Sequence, residues 1–324
     1  MKAAVRRMYG PPSRIVIEKL SKSTPNDDEL LVKVNVTTIN RTDCANLAAK
    51  PFIMRFVLGL FKPRKVVLGT DFAGLVISKG KSVKSFEIGD KVFGFVDTGL
   101  ESQAEFMKIK EKDVFQIPKD IDYSKAIASL EGAHYAYSFI HKVKLRPKQS
   151  ILINGASGAI GSALLQFLKQ FDVHITATCK TKNTELIKSL GAHKVYDYET
   201  EDFTIKNDKY DYIFDTAGKS SFRKCKPRLN KNGVFLSSEL GKYGLNILLS
   251  LISLIFNKKV KIAIPFSTKL TIPYVSNLLE KGIFNPLIDC YYELSNIKEA
   301  YTYVLKGQKV GNVLLIIEKR QSTI

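Results

Sequence analysis

The sequence predicts an α/β fold, a doubly wound parallel sheet carried beside a separate β-rich domain, on three observations. An apolar strand, Ser150-Ile-Leu-Ile-Asn154, runs into a glycine-rich turn, Gly155-Ala-Ser157-Gly158-Ala159-Ile160-Gly161, which opens directly into an amphipathic segment. Apolar strands then alternate with helical segments as far as Ser238. The N-terminal part instead carries short strand-like runs broken at close intervals by Gly, Pro, Asn and Asp, the pattern of a compact β domain.

In chain order, Glu29–Val36 alternates in polarity, Phe72–Ser78 reads as a second strand, and Gly89–Phe95 turns into a third. After the glycine turn, Ile160, Leu164, Phe167, Leu168 and Phe171 mark one helical face at the 3.6-residue period. His174–Thr178 is the next strand, a short helix ends at Leu190-Gly191, and Val195–Tyr198, Tyr210–Asp215 and Gly233–Ser238 come next as strands. Strands alternating with helices imply parallel pairing with right-handed crossovers, a Rossmann domain.

A strand–glycine turn–helix unit lets backbone N–H groups approach a pyrophosphate, with the positive end of the helix beneath it. Gly155 suits turn dihedrals, Gly158 leaves room for phosphate, and Gly161 permits close packing of helix on strand. The spacing is GxxGxxG, so the reading leans on the second strand and the residues after it. A site for NAD places Asp or Glu about 20 residues on, to bind the ribose 2′-hydroxyl. This chain has no acid after Thr178 and places Lys180 and Lys182 just beyond. Two lysines there suit a 2′-phosphate, hence NADPH; the plainer alternative is two solvated loop lysines. The candidate cofactor-binding residues are therefore Gly155, Ser157, Gly158, Ala159, Ile160, Thr178, Lys180 and Lys182.

With 324 residues, 45% hydrophobic and 25% charged, the chain has room for about two ordinary globular domains. Four scattered cysteines, Cys44, Cys179, Cys225 and Cys290, form no CxxC pair and point to free thiols in a reducing, cytoplasmic compartment. The first residues start as strand and show no signal-peptide pattern. A net charge of +19 raises nucleic acid or an anionic membrane as partners. The lysines are dispersed, however, and no basic run is interleaved with aromatics, so nucleic acid is not expected. No GxSxG elbow is present for nucleophilic catalysis.

Several motifs together give a resemblance: Met1-Lys-Ala-Ala-Val5, Tyr9-Gly-Pro-Pro12, Asn40-Arg-Thr-Asp43, Leu68-Gly-Thr-Asp-Phe-Ala-Gly74, Gly89-Asp-Lys-Val-Phe-Gly94, the glycine turn, Ser189-Leu-Gly-Ala192 and Gly311-Asn-Val-Leu-Leu315. On these the chain resembles the medium-chain dehydrogenase/reductase superfamily, in its zinc-independent quinone oxidoreductase branch. Cys179–Asn183 and Phe214–Phe222 bring it nearer to bacterial NAD(P)-dependent alcohol dehydrogenases and chloroplast-envelope quinone oxidoreductase homologues. The resemblance implies a GroES-like catalytic domain, 1–122 plus 285–324, with the NADP-binding Rossmann domain, 123–284, inserted and the active site in the cleft between them. It also implies that Tyr198 contacts the 2′-phosphate, that Ala217-Gly218 approaches the nicotinamide, and that the assembly is a homodimer.

Zinc-dependent cousins carry a Cys ligand where this chain has Asn40, and a His-Glu pair where it has Thr70-Asp71. Neither Asn nor Thr replaces Cys or His in a zinc site, and no cysteine lies between Gly94 and Lys112 for a structural lobe. No metal site is therefore expected. Hydride transfer from NADPH to an acceptor needing modest activation, an α,β-unsaturated carbonyl or a quinone, is the chemistry that remains. Alcohol oxidation without zinc, or a low-turnover cofactor-binding protein at a membrane surface, are the alternatives.

The catalytic candidates are Asn40, Asp43 and Tyr135. Asn40 offers an amide donor to the reacting carbonyl. Asp43 either orders its loop or contacts the nicotinamide ribose, or simply caps a turn. Tyr135 stands where the branch has a threonine that meets the nicotinamide. His134 beside it invites a proton-donor role, although a lone helical histidine is more commonly structural. Finally, Leu245–Phe256 is the most apolar run. As a helix it would be about 18 Å long, too short for a bilayer core of about 30 Å, so no transmembrane segment is expected. Apolar almost all round, it is expected to bury against a second subunit or roof the substrate pocket, with peripheral membrane contact through Lys258, Lys259 and Lys261 as the rival.

Overall fold

The computed structural model describes residues 1–239, 241, 244–253, 257–263 and 265–318. The chain forms two compact units, one from Met1–Leu130 joined by the segment that starts at Ile288, the other Glu131–Leu287.

The first unit opens with β1 (Lys2–Val5) and β2 (Val16–Lys19), an antiparallel pair. β3 (Glu29–Thr38) leads into α1 (Arg41–Ala48) and the single-turn α2 (Met54–Leu58). Next come β4 (Asp71–Lys79), β5 (Lys91–Phe95), β6 (Phe106–Lys110), β7 (Phe115–Gln116) and α3 (Tyr123–Ala128). β3 is the hub. Its Leu30, Val32 and Val34 are buried with Phe72, Val76, Val92 and Ile109, because the period-2 apolar pattern turns one face of each strand inward.

The second unit comprises α4 (Glu131–His141), β8 (Gln149–Asn154), α5 (Ala159–Leu168), β9 (Val173–Cys179), α6 (Thr184–Ser189) and β10 (Lys194–Asp197). β11 (Tyr210–Asp215), α7 (Phe222–Cys225), β12 (Leu229–Ser237), α8 (Leu245–Ile252), β13 (Lys259–Ile262) and α9 (Thr268–Glu280) complete it. Its six strands pair in parallel in the order β10-β9-β8-β11-β12-β13. The order reverses direction between β8 and β11, and in doubly wound sheets ligands bind outside the C-terminal strand ends at that switch point. The glycine turn leaves β8 there.

The chain then returns to the first unit with β14 (Ile288–Glu293), α10 (Ile297–Leu305) and β15 (Asn312–Ile316). β15 pairs antiparallel with β3, so the two chain ends share one seven-stranded sheet. The doubly wound sheet is thus an insertion in a β-rich unit. The unit boundaries fall after Leu130 and Leu287, where the sequence reading placed the joints after 122 and 284; α3 packs on β3, β4 and β15 and lies with the first unit.

Two helices differ from their sequence reading. α5 ends at Leu168, and Phe171 lies beyond it, exposed, while Leu164, Phe167 and Leu168 fill the core. α8 ends at Ile252, and residues 254–256 of the apolar run lie outside the described residues. Leu249 packs toward the core of its unit, but Leu245, Ile247, Leu248, Leu251 and Ile252 are 44–65% exposed. The expected burial against two surfaces is therefore not met within the chain. Among the described residues, no helix is long and apolar enough to cross a membrane.

Candidate functional site

In the second unit the three glycines divide the work of the turn. Gly155 takes φ +87°, a left-handed conformation costly for any side chain, and a Cβ there would stand 2.7 Å from Ala217 Cβ. A Cβ on Gly161 would come within 2.4 Å of the Gly155 carbonyl oxygen and 2.7 Å of Ala156 Cα, so only glycine lets α5 seat against the turn. Gly158 is different. A Cβ there meets only the Gly155 oxygen, at 3.6 Å, so the space over the N-terminus of α5 is open. Gly158 is the N-cap, no side chain caps it, and the first turn holds no acid, leaving the N–H groups of the opening turn and the helix dipole available to an anion. Ser157, Ala159 and Ile160, all half-buried, frame this opening.

A buried polar strut holds the turn from below. Thr178 Oγ1 accepts from Gly155 N–H at 3.0 Å and donates to Asn154 Oδ1 at 2.8 Å. Asn154 Nδ2 in turn donates to Asp215 Oδ1 at 3.0 Å. Burial raises the carboxyl pKa of Asp215, opposed by the Asn154 and backbone donors. The Thr178 hydroxyl is thus engaged beneath the turn. Asn154 and Asp215, missed in the sequence reading, end β8 and β11 side by side in register, and two polar residues closing apolar strands are the signal that marks them. Asp215 leads directly into Thr216-Ala217-Gly218, which is how Ala217 comes against Gly155.

At the C-terminal ends of β9 and β10, Lys180 Nζ forms a 2.9 Å ion pair with Glu199 Oε1, and that contact raises the lysine pKa. Tyr198 is exposed beside it, its N–H on the Cys179 carbonyl at 3.1 Å, and Lys182 is exposed on the same loop. The structure brings Lys180 and Tyr198 together. Glu199, the acid that shares Lys180, had no part in the sequence reading.

In the first unit, Asn40 caps α1, and its own N–H is met by Asp43 Oδ2 at 2.9 Å. Thr70 Oγ1 donates to Asp43 Oδ1 at 3.1 Å. Both carboxylate oxygens of buried Asp43 therefore serve the loop. Asn40 Nδ2 donates to Thr38 Oγ1 at 2.6 Å, and Thr38 hydrogen-bonds onward to Asp71 through its hydroxyl and, at 2.8 Å, its N–H. Thr37 Oγ1 also donates to Asp71, at 2.8 Å. Full burial raises the Asp71 pKa, and these hydroxyl and amide donors oppose the shift. On the other side of the amide, Lys309 Nζ lies 3.4 Å from Asn40 Oδ1 and donates to the Gly311 carbonyl. A clamped carboxamide with an ammonium beside it suits a carbonyl oxygen that gains negative charge. Lys309 had no sequence signal, being 269 positions from Asn40.

Tyr135 lies on α4, half-buried, one turn past Gly132, where a Cβ would stand 2.8 Å from Ala159 Cβ, so α4 packs closely on the start of α5. His134 is buried with Nδ1 2.6 Å from Thr271 Oγ1, and desolvation pushes its pKa down to about 4. A neutral, engaged imidazole fits the structural role. The unfolded chain binds a proton below the ordinary value of 6.5 while the folded chain does not until about 4, so stability falls as pH drops through that window. The slope should be on the order of 1 kcal/mol per pH unit, and His134→Gln should flatten it in urea titrations across that range. An unchanged slope in the variant would place the buried neutral histidine in doubt.

The donor chemistry does not fit zinc. Asn40, Thr70 and Asp71 offer one carboxylate, already bonded to Thr37 and Thr38, and no group of three His, Cys, Asp or Glu is placed to hold a metal among the described residues.

Residues 26–119 match the alcohol dehydrogenase GroES-like domain family, and residues 190–315 match the zinc-binding dehydrogenase family. The chain is 29% identical over 305 residues to the quinone-oxidoreductase homolog, chloroplastic, of Spinacia oleracea, with 90% of each chain covered. It is 30% identical over 233 residues to the NADPH-dependent alkenal/one oxidoreductase, chloroplastic, of Arabidopsis thaliana, covering 67% of this chain and 58% of that one. The quinone oxidoreductase from Coxiella burnetii has the same fold, with a TM-score of 0.87 at 20% identity over 98% of this chain and 99% of that one. With a GroES-like domain, an inserted parallel Rossmann-like sheet and these relatives, the chain belongs to the medium-chain dehydrogenase/reductase superfamily of oxidoreductases, in its quinone oxidoreductase-like branch.

Proposed function

We propose that the protein is a zinc-independent reductase that uses NADPH to reduce α,β-unsaturated carbonyls or quinones. The observation that carries this reading is the Asn40 carboxamide, held between Thr38 and Lys309 at the position where zinc-dependent cousins have a cysteine ligand. The open space over Gly158, bounded by an uncapped helix start, fits the pyrophosphate of a dinucleotide. When bound, the cofactor supplies a hydride from C4 of its nicotinamide. The protein's own contribution is to bind and orient the acceptor and to stabilise its oxygen. The second N–H of the Asn40 amide donates to that oxygen, and Lys309 places a positive charge beside it. Enones and quinones need little more than this, because their conjugation spreads the arriving charge onto oxygen. A simple ketone lacks that relief. The names of the spinach and Arabidopsis relatives, a quinone oxidoreductase homolog and an alkenal/one oxidoreductase, support the same acceptor class.

The test is an initial-rate panel of small enones, quinones, ketones and alcohols, with NADPH and NADH, in the presence and absence of chelator. Turnover of an enone or quinone with NADPH, unchanged by chelator, is expected. Activity confined to alcohols, or lost with a stoichiometric zinc, would sink the proposal.

NADPH is expected to bind more tightly than NADH. Lys180→Glu should weaken NADPH at least about tenfold with little effect on NADH, because a charge-assisted phosphate contact is replaced by repulsion. Glu199→Gln should do the opposite, freeing Lys180 from its ion pair. Fluorescence titration of both cofactors checks this, and equal affinities in the unmodified protein would refute the preference.

A further inference from the structure

Residues 44–70 carry five cations, Lys50, Arg55, Lys62, Arg64 and Lys65, and no acid. The same segment presents the most exposed apolar surface of the first unit. Phe52, Ile53, Phe56 and Val57 are 63, 65, 62 and 57% exposed, and Phe61 reaches 90%. A patch of aromatic and branched side chains in water is uncommon on a protein surface and marks a binding face.

The patch is built. Leu58 is buried with Tyr9 and Ala49, which anchors α2 from below. The Tyr9 hydroxyl donates to the Gly59 carbonyl at 2.7 Å, and Arg64 N–H closes the loop on the Leu58 carbonyl at 2.8 Å. Gly59 sits at φ +123° where a Cβ would strike the Lys62 carbonyl oxygen at 2.1 Å, so the sharp bend that presents Leu60 and Phe61 depends on glycine. Arg55 is drawn under the patch, over the rings of Tyr9 and Phe52 at 5.1 and 5.3 Å. Lys50, Lys62, Arg64 and Lys65 stay exposed around it.

We propose that this loop docks the protein on an anionic lipid surface, with Phe52, Phe56 and Phe61 entering the boundary between headgroups and acyl chains. Charge selects this occupant. An apolar tip ringed by cations matches an anionic bilayer, whose surface attracts each basic residue while the tip leaves water. A second copy of the chain would set like charges against one another across the contact. The neighbouring Asp97 and Glu101, both half-buried, do not cancel the five cations. The docked loop would hold at the bilayer surface a cavity of about 240 Å³ lined by Asp43, Asn46, Val57, Leu58, Arg64 and Lys65.

The experiment is flotation of the full chain with vesicles of phosphatidylcholine, alone or with one-third phosphatidylglycerol, in about 0.1 M salt. Co-flotation with the anionic vesicles, at least about tenfold weaker with the neutral ones, is expected. Phe56→Ser with Phe61→Ser should lose at least about tenfold in partitioning, with unchanged thermal unfolding because both side chains already face water. Leu248→Ser with Leu251→Ser, on the exposed face of α8, should float like the unmodified protein. A protein that stays at the bottom with anionic vesicles, a Phe variant that floats normally, or loss confined to the α8 variant would each overturn the proposal. So would a concentration-dependent dimer in sedimentation that the Phe variant abolishes, since that assigns the patch to a second copy.

Discussion

Replacing Asn40 by Ala is expected to lower kcat for enone or quinone reduction about 10²–10³-fold, with a much smaller change in KM. A donor aimed at a developing oxyanion acts on the transition state, and removing one such donor costs roughly 2.7–4 kcal/mol. The geometry supports an effect at the upper end. The amide is 4% exposed and its orientation is set by Thr38 at 2.6 Å on one side and Lys309 at 3.4 Å on the other. Asn40 is also the N-cap of α1, and losing a cap costs about 1 kcal/mol of stability by itself. Asn40→Asp separates the two effects, because aspartate caps as well as asparagine but, when ionised, has no donor. Both variants should lose turnover, and only the Ala variant should lose stability. An Asp variant with full kcat would remove the oxyanion role and leave Asn40 as a cap.

The second large effect is expected at Gly158, where binding and stability should move in opposite directions. Gly158→Asp puts a good N-cap at the start of α5 and a negative charge at the positive end of the helix, worth from a few tenths to about 1 kcal/mol in favour of the fold. The backbone there has φ −75°, which any residue adopts, and a Cβ would touch the protein only at 3.6 Å. The same carboxylate occupies the open space over the helix start that is proposed for the pyrophosphate. NADPH affinity should drop at least about 100-fold, roughly 2.7 kcal/mol, while the thermal midpoint holds or rises. Gly161→Val is the companion, since its Cβ would meet Gly155 O at 2.4 Å and should cost the fold about 1–3 kcal/mol. Calorimetry with and without NADPH reads both variants. An unchanged cofactor affinity in Gly158→Asp would mean that the pyrophosphate does not lie on this helix.

What the linear sequence determined by itself was the doubly wound half. The strand, the glycines and the first turn of α5 are contiguous, so each requirement of the strand–turn–helix unit falls on a neighbouring position, and the period of the apolar residues names the elements on either side. In the β-rich half β1, β3, β4 and β5 were legible from their runs while β2, β6, β7, β14 and β15 were not, and in the doubly wound half β13, with only Lys259–Ile262 to announce it, was missed. That Asn40 stands where zinc-dependent cousins have a cysteine was implied by the resemblance, through the motif around it.

Tertiary structure alone decided the rest. Lys309 reaches Asn40 only because β15 pairs with β3, a contact between opposite ends of the chain that no local pattern encodes. Glu199 takes Lys180 because β10 lies beside β9, which brings the loops after the two strands together. The Asp215–Asn154–Thr178 strut needs three strand ends side by side. Exposure was the least legible property of all. The apolar residues of α8 were expected to be covered, yet much of that surface faces water in the chain, as does much of 52–61. Hydrophobicity states what a side chain gains by burial, and only the packing of the other elements determines whether there is a surface to bury it against.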